Sequence, residues 1–190
     1  MPSISPAADG SAGHPHQPSA PAGFGKPTVR AGIVLADPLL GASIAPVPVR
    51  YAIVATTGVA PGTLSALADD DDAEVRREVA FHRATPPRTL AAHVNDPDPD
   101  VRFRLALNLA TPLETLATLA MDANAEVREG VAANRATPPD TLAILAGDAN
   151  TNVRRWAAGN RAMPSGILAQ PAGDPTPDVR QAVYSMMNWW

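Results

Sequence analysis

Few residues in this chain are of types that do chemistry, and their spacing decides what each can do. There are four histidines and no cysteine, so disulfides, thiolate metal sites and iron–sulfur clusters are excluded. His14 and His16 could offer two imidazoles to a metal, but no third or fourth ligand lies nearby. They read as solvated tail residues. The run Asp69-Asp70-Asp71-Asp72 suggests calcium, yet it lacks the spaced oxygen ligands, glycine and terminal glutamate of a calcium loop. It reads as a turn followed by a helix N-cap. His93 could serve as a general base, but no Ser or Cys nucleophile shares a motif with it. It stands where other units carry Leu67, Leu119 and Leu145, and reads as a boundary histidine with a backbone partner. Arg76, Arg102, Arg128, Arg154 and Arg180 recur at one constant interval and could form an anion-binding stripe. Residues 60–190, however, hold 12 Arg and no Lys against 17 Asp and Glu, which disfavours a phosphate backbone as ligand. Each of these arginines has an aspartate six residues earlier, in the column Asp70, Asp96, Asp122, Asp148, Asp174. The column is read as a structural ladder that bridges units. No catalytic residue, cofactor or metal site is assigned, and the chain is read as not an enzyme.

The elements that carry these residues repeat. Pro86, Pro112, Pro138 and Pro164 share the interval of the arginines, as do Leu64, Leu90, Leu116, Leu142 and Leu168, and Val75, Val101, Val127, Val153 and Val179. A period of this length, unbroken over five units, signals stacked repeats. Each unit reads as two short helices. The first opens on Thr85, Thr111 or Thr137 as N-cap followed by proline, with Thr111 and Glu114 spaced as a capping box. Its apolar stripe is Leu64, Leu67, Ala68 and its equivalents Leu116, Leu119, Ala120 and Leu142, Leu145, Ala146. The second helix opens on the N-cap column Asp72, Asp98, Asn124, Asn150, Thr176, with acidic residues in the first turn, where the helix dipole favours them. Val101, Leu105, Ala106 and Val127, Val131, Ala132 form its inner stripe. It ends near Asn108, Asn134 and Asn160, which suit a left-handed C-terminal cap. The small column Ala80, Ala106, Ala132, Ala158 allows close helix approach. Helices this short are not stable alone, so each unit must bury its stripe on its neighbours. The expected fold is all-α, a right-handed α-solenoid of short paired helices.

Around this core the chain divides in three. Residues 1–28 are rich in Pro, Ala, Gly and Ser and read as disordered. Residues 29–59 read as a degenerate N-terminal cap repeat, in which Val49-Arg50 falls one period before Val75-Arg76. Residues 60–190 are the repeat domain, with units starting near 60, 86, 112, 138 and 164. In the last unit Gly166 and Pro171 fall inside the expected first helix, which Pro171 should break. The formal net charge of −4 argues against nucleic acid and anionic membrane as partners. The most apolar stretch, residues 31–59, is interrupted by Pro38, Pro46 and Pro48, so no membrane helix is expected. No secretory signal is visible, and a cytoplasmic location is expected.

The consensus TPPxTLAxLAxDxNxxVRxxVAxN over residues 60–183 resembles the leucine-rich repeat variant family, one of the HEAT-like α-solenoids. That resemblance implies a curved stack of short helices, with one layer partly 3₁₀. The Asp and Arg columns are similar to the Asp–Arg ladder of HEAT repeats. Some family members carry an upstream cysteine cluster. This chain has no Cys, so that cofactor is not carried over.

Function should lie where the columns vary. Arg77, Phe103, Glu129, Arg155 and Gln181 share one column, and Glu78, Arg104, Gly130, Trp156 and Ala182 share the next. Both fall outside the Val/Leu/Ala stripe and should face outward from the second helices. Arg77, Phe103, Arg104, Arg155 and Trp156 are of the types that anchor protein interfaces. The expectation is a non-catalytic scaffold that binds a protein or peptide partner of some basic character on an extended face. The alternatives are an enzyme accessory domain or an enzyme with an unrecognised site, and a structural repeat without a discrete ligand. Trp189 and Trp190 form an apolar end, read as a hydrophobic end cap or the stub of a larger array, with self-association through it as the functional alternative.

Overall fold

Proline-led and Asp- or Asn-led segments alternate along the chain, and the helices come in pairs accordingly. The computed structural model describes residues 45–187, which belong to one compact unit within residues 34–190. The tail at 1–28, the cap as far as residue 44, and Trp189 and Trp190 lie outside the described residues. The described chain is helical throughout and contains no strand.

Helix α1 (Val47–Val54) comes first. Four pairs follow, α2 (Pro61–Leu67) with α3 (Ala73–Phe81), α4 (Pro87–Ala92) with α5 (Pro99–Leu107), α6 (Leu113–Leu119) with α7 (Ala125–Ala133), and α8 (Pro139–Leu145) with α9 (Thr151–Ala158). The last unit has a 3₁₀ turn (Ser165–Ile167), then α10 (Ala169–Ala172) and α11 (Pro177–Met187). The second helices stack in order, α3 on α5, α5 on α7, α7 on α9 and α9 on α11, while α2, α6, α8 and α10 pack on the second helix of their own unit. The first layer is α-helical except for the 3₁₀ turn in the last unit.

The N-caps of the second helices form as their residue types predict. Asp72, Asp98, Asn124 and Asn150 accept the N–H of Glu74, Asp100, Glu126 and Asn152 at 2.7–2.8 Å, which satisfies a donor the helix cannot. The first helices start differently from expectation. Their N-caps are Pro86, Pro112 and Pro138, none with a side-chain cap. Thr85, Thr111 and Thr137 instead donate from Oγ1 to the carbonyls of Val79, Leu105 and Val131 at 2.6–2.7 Å. They close the preceding helix, and the Thr111–Glu114 capping box is not formed. The asparagine cap is also corrected. Asn108 and Asn134 lie in extended backbone, at φ −72° and −71°, and among the described residues only Gly58 has a positive φ.

The core follows the predicted columns. Leu64, Leu116 and Leu142, with Val75, Val127 and Val153, are fully buried, and one apolar cluster runs without a break from Ala80 to Met163. Helix α1 packs on α3 as a second helix would, with Val54 buried in the Ala80 column. Val49, at the expected core position, is exposed, because no first helix covers α1 among the described residues. Pro171 divides the last first helix as expected. The chain resets so that Pro171 lies in the first turn of α10, where its missing N–H is not needed, and it is buried in the Leu119 and Leu145 column. No helix among the described residues is long and apolar enough to cross a membrane.

Candidate functional site

The arginine column is consumed by structure. Four guanidiniums of the column grip the aspartate of the next unit through Nε and Nη2, at 2.8 and 3.1 Å for Arg76–Asp96, 2.7 and 3.1 Å for Arg102–Asp122, 2.7 and 3.0 Å for Arg128–Asp148, and 2.7 and 3.3 Å for Arg154–Asp174. Arg50 holds Asp70 in the same way. The aspartate six residues before each arginine does take part, but through its backbone. Arg128 Nη1 donates to the Asp122 carbonyl at 2.7 Å, while the Asp122 carboxylate serves Arg102. One arginine therefore ties its own interhelix turn to the next unit. Burial pushes the Asp122 and Asp148 carboxyls up, but bonds from Arg102 and Arg128 and from the N–H groups of Asn124 and Asn150 outweigh it and hold both below the ordinary range. For Asp174 the bond from Arg154 is the largest influence, and its carboxyl is also held low. Among the described residues Arg180 bonds the carbonyls of Asp174 and Pro175 and no carboxylate.

A second ladder escaped the sequence reading. Asn108 Nδ2 donates to the carbonyls of Ala80 and His82, Asn134 to those of Ala106 and Asn108, and Asn160 to those of Ala132 and Asn134, at 2.7–3.1 Å. These amides are buried and span two units each. His82, in the same column, accepts the Ala84 N–H on Nδ1, as each asparagine Oδ1 does from the residue two positions on.

The ladders leave the exposed side of the second helices as the candidate site. A groove of about 480 Å³ runs over α1, α3, α5 and α7, lined by Tyr51, Phe103, Arg77, Arg104 and five carboxylates, those of Glu74, Glu78, Asp100, Glu126 and Glu129. Arg77 is held by Glu74 at 2.6 Å, Asp98 at 2.7 Å and Asp100 at 3.2 Å. The Arg104 guanidinium lies over the Phe81 ring, 5.0 Å from its centroid. Phe103 is half-buried, its ring 3.1 Å from where a Cβ on Gly130 would stand. Gly130 is itself buried, contrary to the outward orientation expected of its column. A second cleft of about 270 Å³ lies over α9 and α11, lined by Arg155, Trp156, Gly159, Arg161, Ala182, Ser185 and Met186. There Arg155 covers the Trp156 ring at 5.1 Å.

A family described as leucine rich repeat variant matches residues 125–150, one repeat length. A solved structure described as a leucine-rich repeat variant with a novel repetitive protein structural motif is similar to this chain at 29% identity and a TM-score of 0.60, over 78% of this chain and 60% of that one. The stacked helix pairs of this chain match the leucine-rich repeat variant solenoid fold. No curated protein matches the chain, and it spans 60% of the length of the solved relative.

On this solenoid the five predicted site residues fall into two groups. Arg77, Phe103 and Arg104 line the acidic groove, and Arg155 and Trp156 line the other cleft; no residue is shared between the two. Tyr51, Glu78, Glu126 and Glu129 were missed as groove residues. The signal was present in the acidic column Glu74, Asp100, Glu126, which helix-dipole reasoning absorbed. His93 is half-buried with Nε2 3.7 Å from Asp69 Oδ1, in place of the expected backbone partner. The space beside it is only about 10 Å³. In the aspartate run, Asp70 is held by Arg50 and Asp72 caps α3.

Proposed function

We propose that this solenoid is a non-catalytic scaffold that binds an extended segment of a protein partner along its second helices. The acidic groove over α3, α5 and α7 carries the reading. It is open and long, it offers the rings of Tyr51 and Phe103, and carboxylates outnumber arginines five to two along its walls. Such a surface suits a partner with basic character, through complementary potentials and an aromatic anchor. Nucleic acid and anionic membrane are disfavoured for the same electrostatic reason. A cytoplasmic location and the absence of enzymatic activity belong to the same proposal. The test is affinity capture with the full chain, followed by titration of the captured partner against single variants. Phe103→Ala should weaken binding by about tenfold or more, and Glu129→Gln should reduce its salt dependence. Unchanged affinity for both, with helicity intact, would put the site on another face.

A further inference from the structure

We infer that the acidic groove is a slot for an arginine side chain of the bound segment, an inference that rests on the protein-binding reading above. The described second helices carry three Phe or Trp rings, Phe81, Phe103 and Trp156. Two of them bear a guanidinium from this chain, Arg104 over Phe81 at 5.0 Å and Arg155 over Trp156 at 5.1 Å. Among the described residues Phe103 bears none, yet it is the ring set among carboxylates. Both arginines of the groove are committed elsewhere, Arg77 to Glu74, Asp98 and Asp100, and Arg104 to Phe81. Glu78, Glu126 and Glu129 line the same groove and enter no ion pair among the described residues. An aromatic ring without its cation beside three unpaired carboxylates is complementary to one planar, delocalised cation.

Charge alone would accept a lysine as readily. A guanidinium does two things that an ammonium does not: it stacks flat on an aromatic ring and bonds a carboxylate with two parallel N–H groups. Gly130 makes room for this arrangement. A side chain at that position would meet the Phe103 ring at 3.1 and 3.3 Å and Ala106 Cβ at 3.0 Å, so glycine lets the ring lie low across α7. Phe103 then forms the floor of the slot, Glu126 and Glu129 one wall, and Glu78 the other.

The experiment titrates the full chain with hexa-arginine and hexa-lysine peptides by calorimetry at low salt. Hexa-arginine is expected to bind about 5–10-fold more tightly. Phe103→Leu should bring arginine down to the lysine level, Glu126→Gln with Glu129→Gln should weaken both peptides, and Trp156→Leu should change neither. The double glutamine variant leaves the core untouched, so the test survives if Phe103→Leu unfolds the chain. Equal affinities with no effect of Phe103→Leu would overturn the arginine slot and leave an acidic groove that reads charge alone. Failure of both peptides to bind would overturn the groove reading as well. Sedimentation of the chain alone covers one other occupant. Dimers abolished by Arg155→Gln would assign the slot to a second copy and overturn the partner segment.

Discussion

One asparagine amide joins two repeats. Asn134 gives its two N–H groups to the carbonyls of Ala106 and Asn108, at 2.7 and 3.1 Å, and its Oδ1 accepts from the Ala136 N–H at 2.8 Å. Asn134→Ala removes all three bonds at a buried site and is expected to cost about 1–3 kcal/mol in urea unfolding. Asn134→Asp keeps the shape but sets an acceptor against two carbonyls, so it should be worse than Asn134→Ala at pH 7 and recover when the new carboxyl is protonated. The aspartates of the other ladder set the acid response. Asp70, Asp122, Asp148 and Asp174 of that ladder are held below the ordinary carboxyl range, and so is Asp98, the N-cap of α5 beside Arg77. The unfolded chain therefore takes up protons first as pH falls. The stabilisation from these groups is full above about pH 5 and is lost as pH drops through about 4 toward the lower folded values. The melting temperature should be level from neutral to mildly acidic pH and then fall steeply. Asp148→Asn, melted across the same range, should start lower and fall less steeply, and an unchanged slope would mean that the Arg128–Asp148 rung adds nothing to the acid response.

At the scale of the helix pair, burial decides which positions matter. Leu116 is fully buried in α6, between flanking units, whereas Leu168, its equivalent in the last unit, is half-buried beside the divided helix. Leu116→Ala should cost about 2–5 kcal/mol and Leu168→Ala visibly less; equal losses in thermal unfolding would contradict that difference in packing. The pairs themselves were legible because period and burial are one phenomenon. A leucine that recurs once in every unit must meet the same environment each time. What was not legible is which of two through-space partners a residue takes. Asp122 stands six positions before Arg128 but also follows Arg102 by less than one period, and spacing alone cannot separate the two. Only the stacking of α5 on α7 shows that the carboxylate goes to the earlier arginine and the carbonyl to the later one. Threonine before proline has the same ambiguity. A hydroxyl there can cap the helix ahead or close the one behind, and Thr111 closes the one behind because the Leu105 carbonyl lies 2.7 Å away. The groove was half legible. Phe103 and Arg104 stood out as departures from a column, but Glu126 had already been explained by its place in a first helical turn.

Across the whole stack, stability is a sum over neighbours. An inner unit is held on both sides by an Arg–Asp rung, an Asn bridge and the packing of its second helix. Helix α1 packs on one described second helix only, α3, and α11 on α9 and on its own short α10. The rungs end unevenly, because Arg128 grips Asp148 whereas Arg180, among the described residues, reaches only carbonyls. Arg128→Ala should thus leave a nearly buried Asp148 carboxylate without its partner, at about 1–3 kcal/mol, while Arg180→Ala leaves no carboxylate behind and should cost less. Native-state hydrogen exchange reads the same gradient without mutation. The amides of α5 and α7 should be the best protected, and those of α1 and α11 should exchange by local opening at lower free energy. Arg128→Ala should then lower protection most in α7 and α9, on the two sides of the broken rung. A uniform loss of protection over the whole chain would mean that the stack unfolds as a single cooperative block and that the rungs do not couple their neighbours selectively.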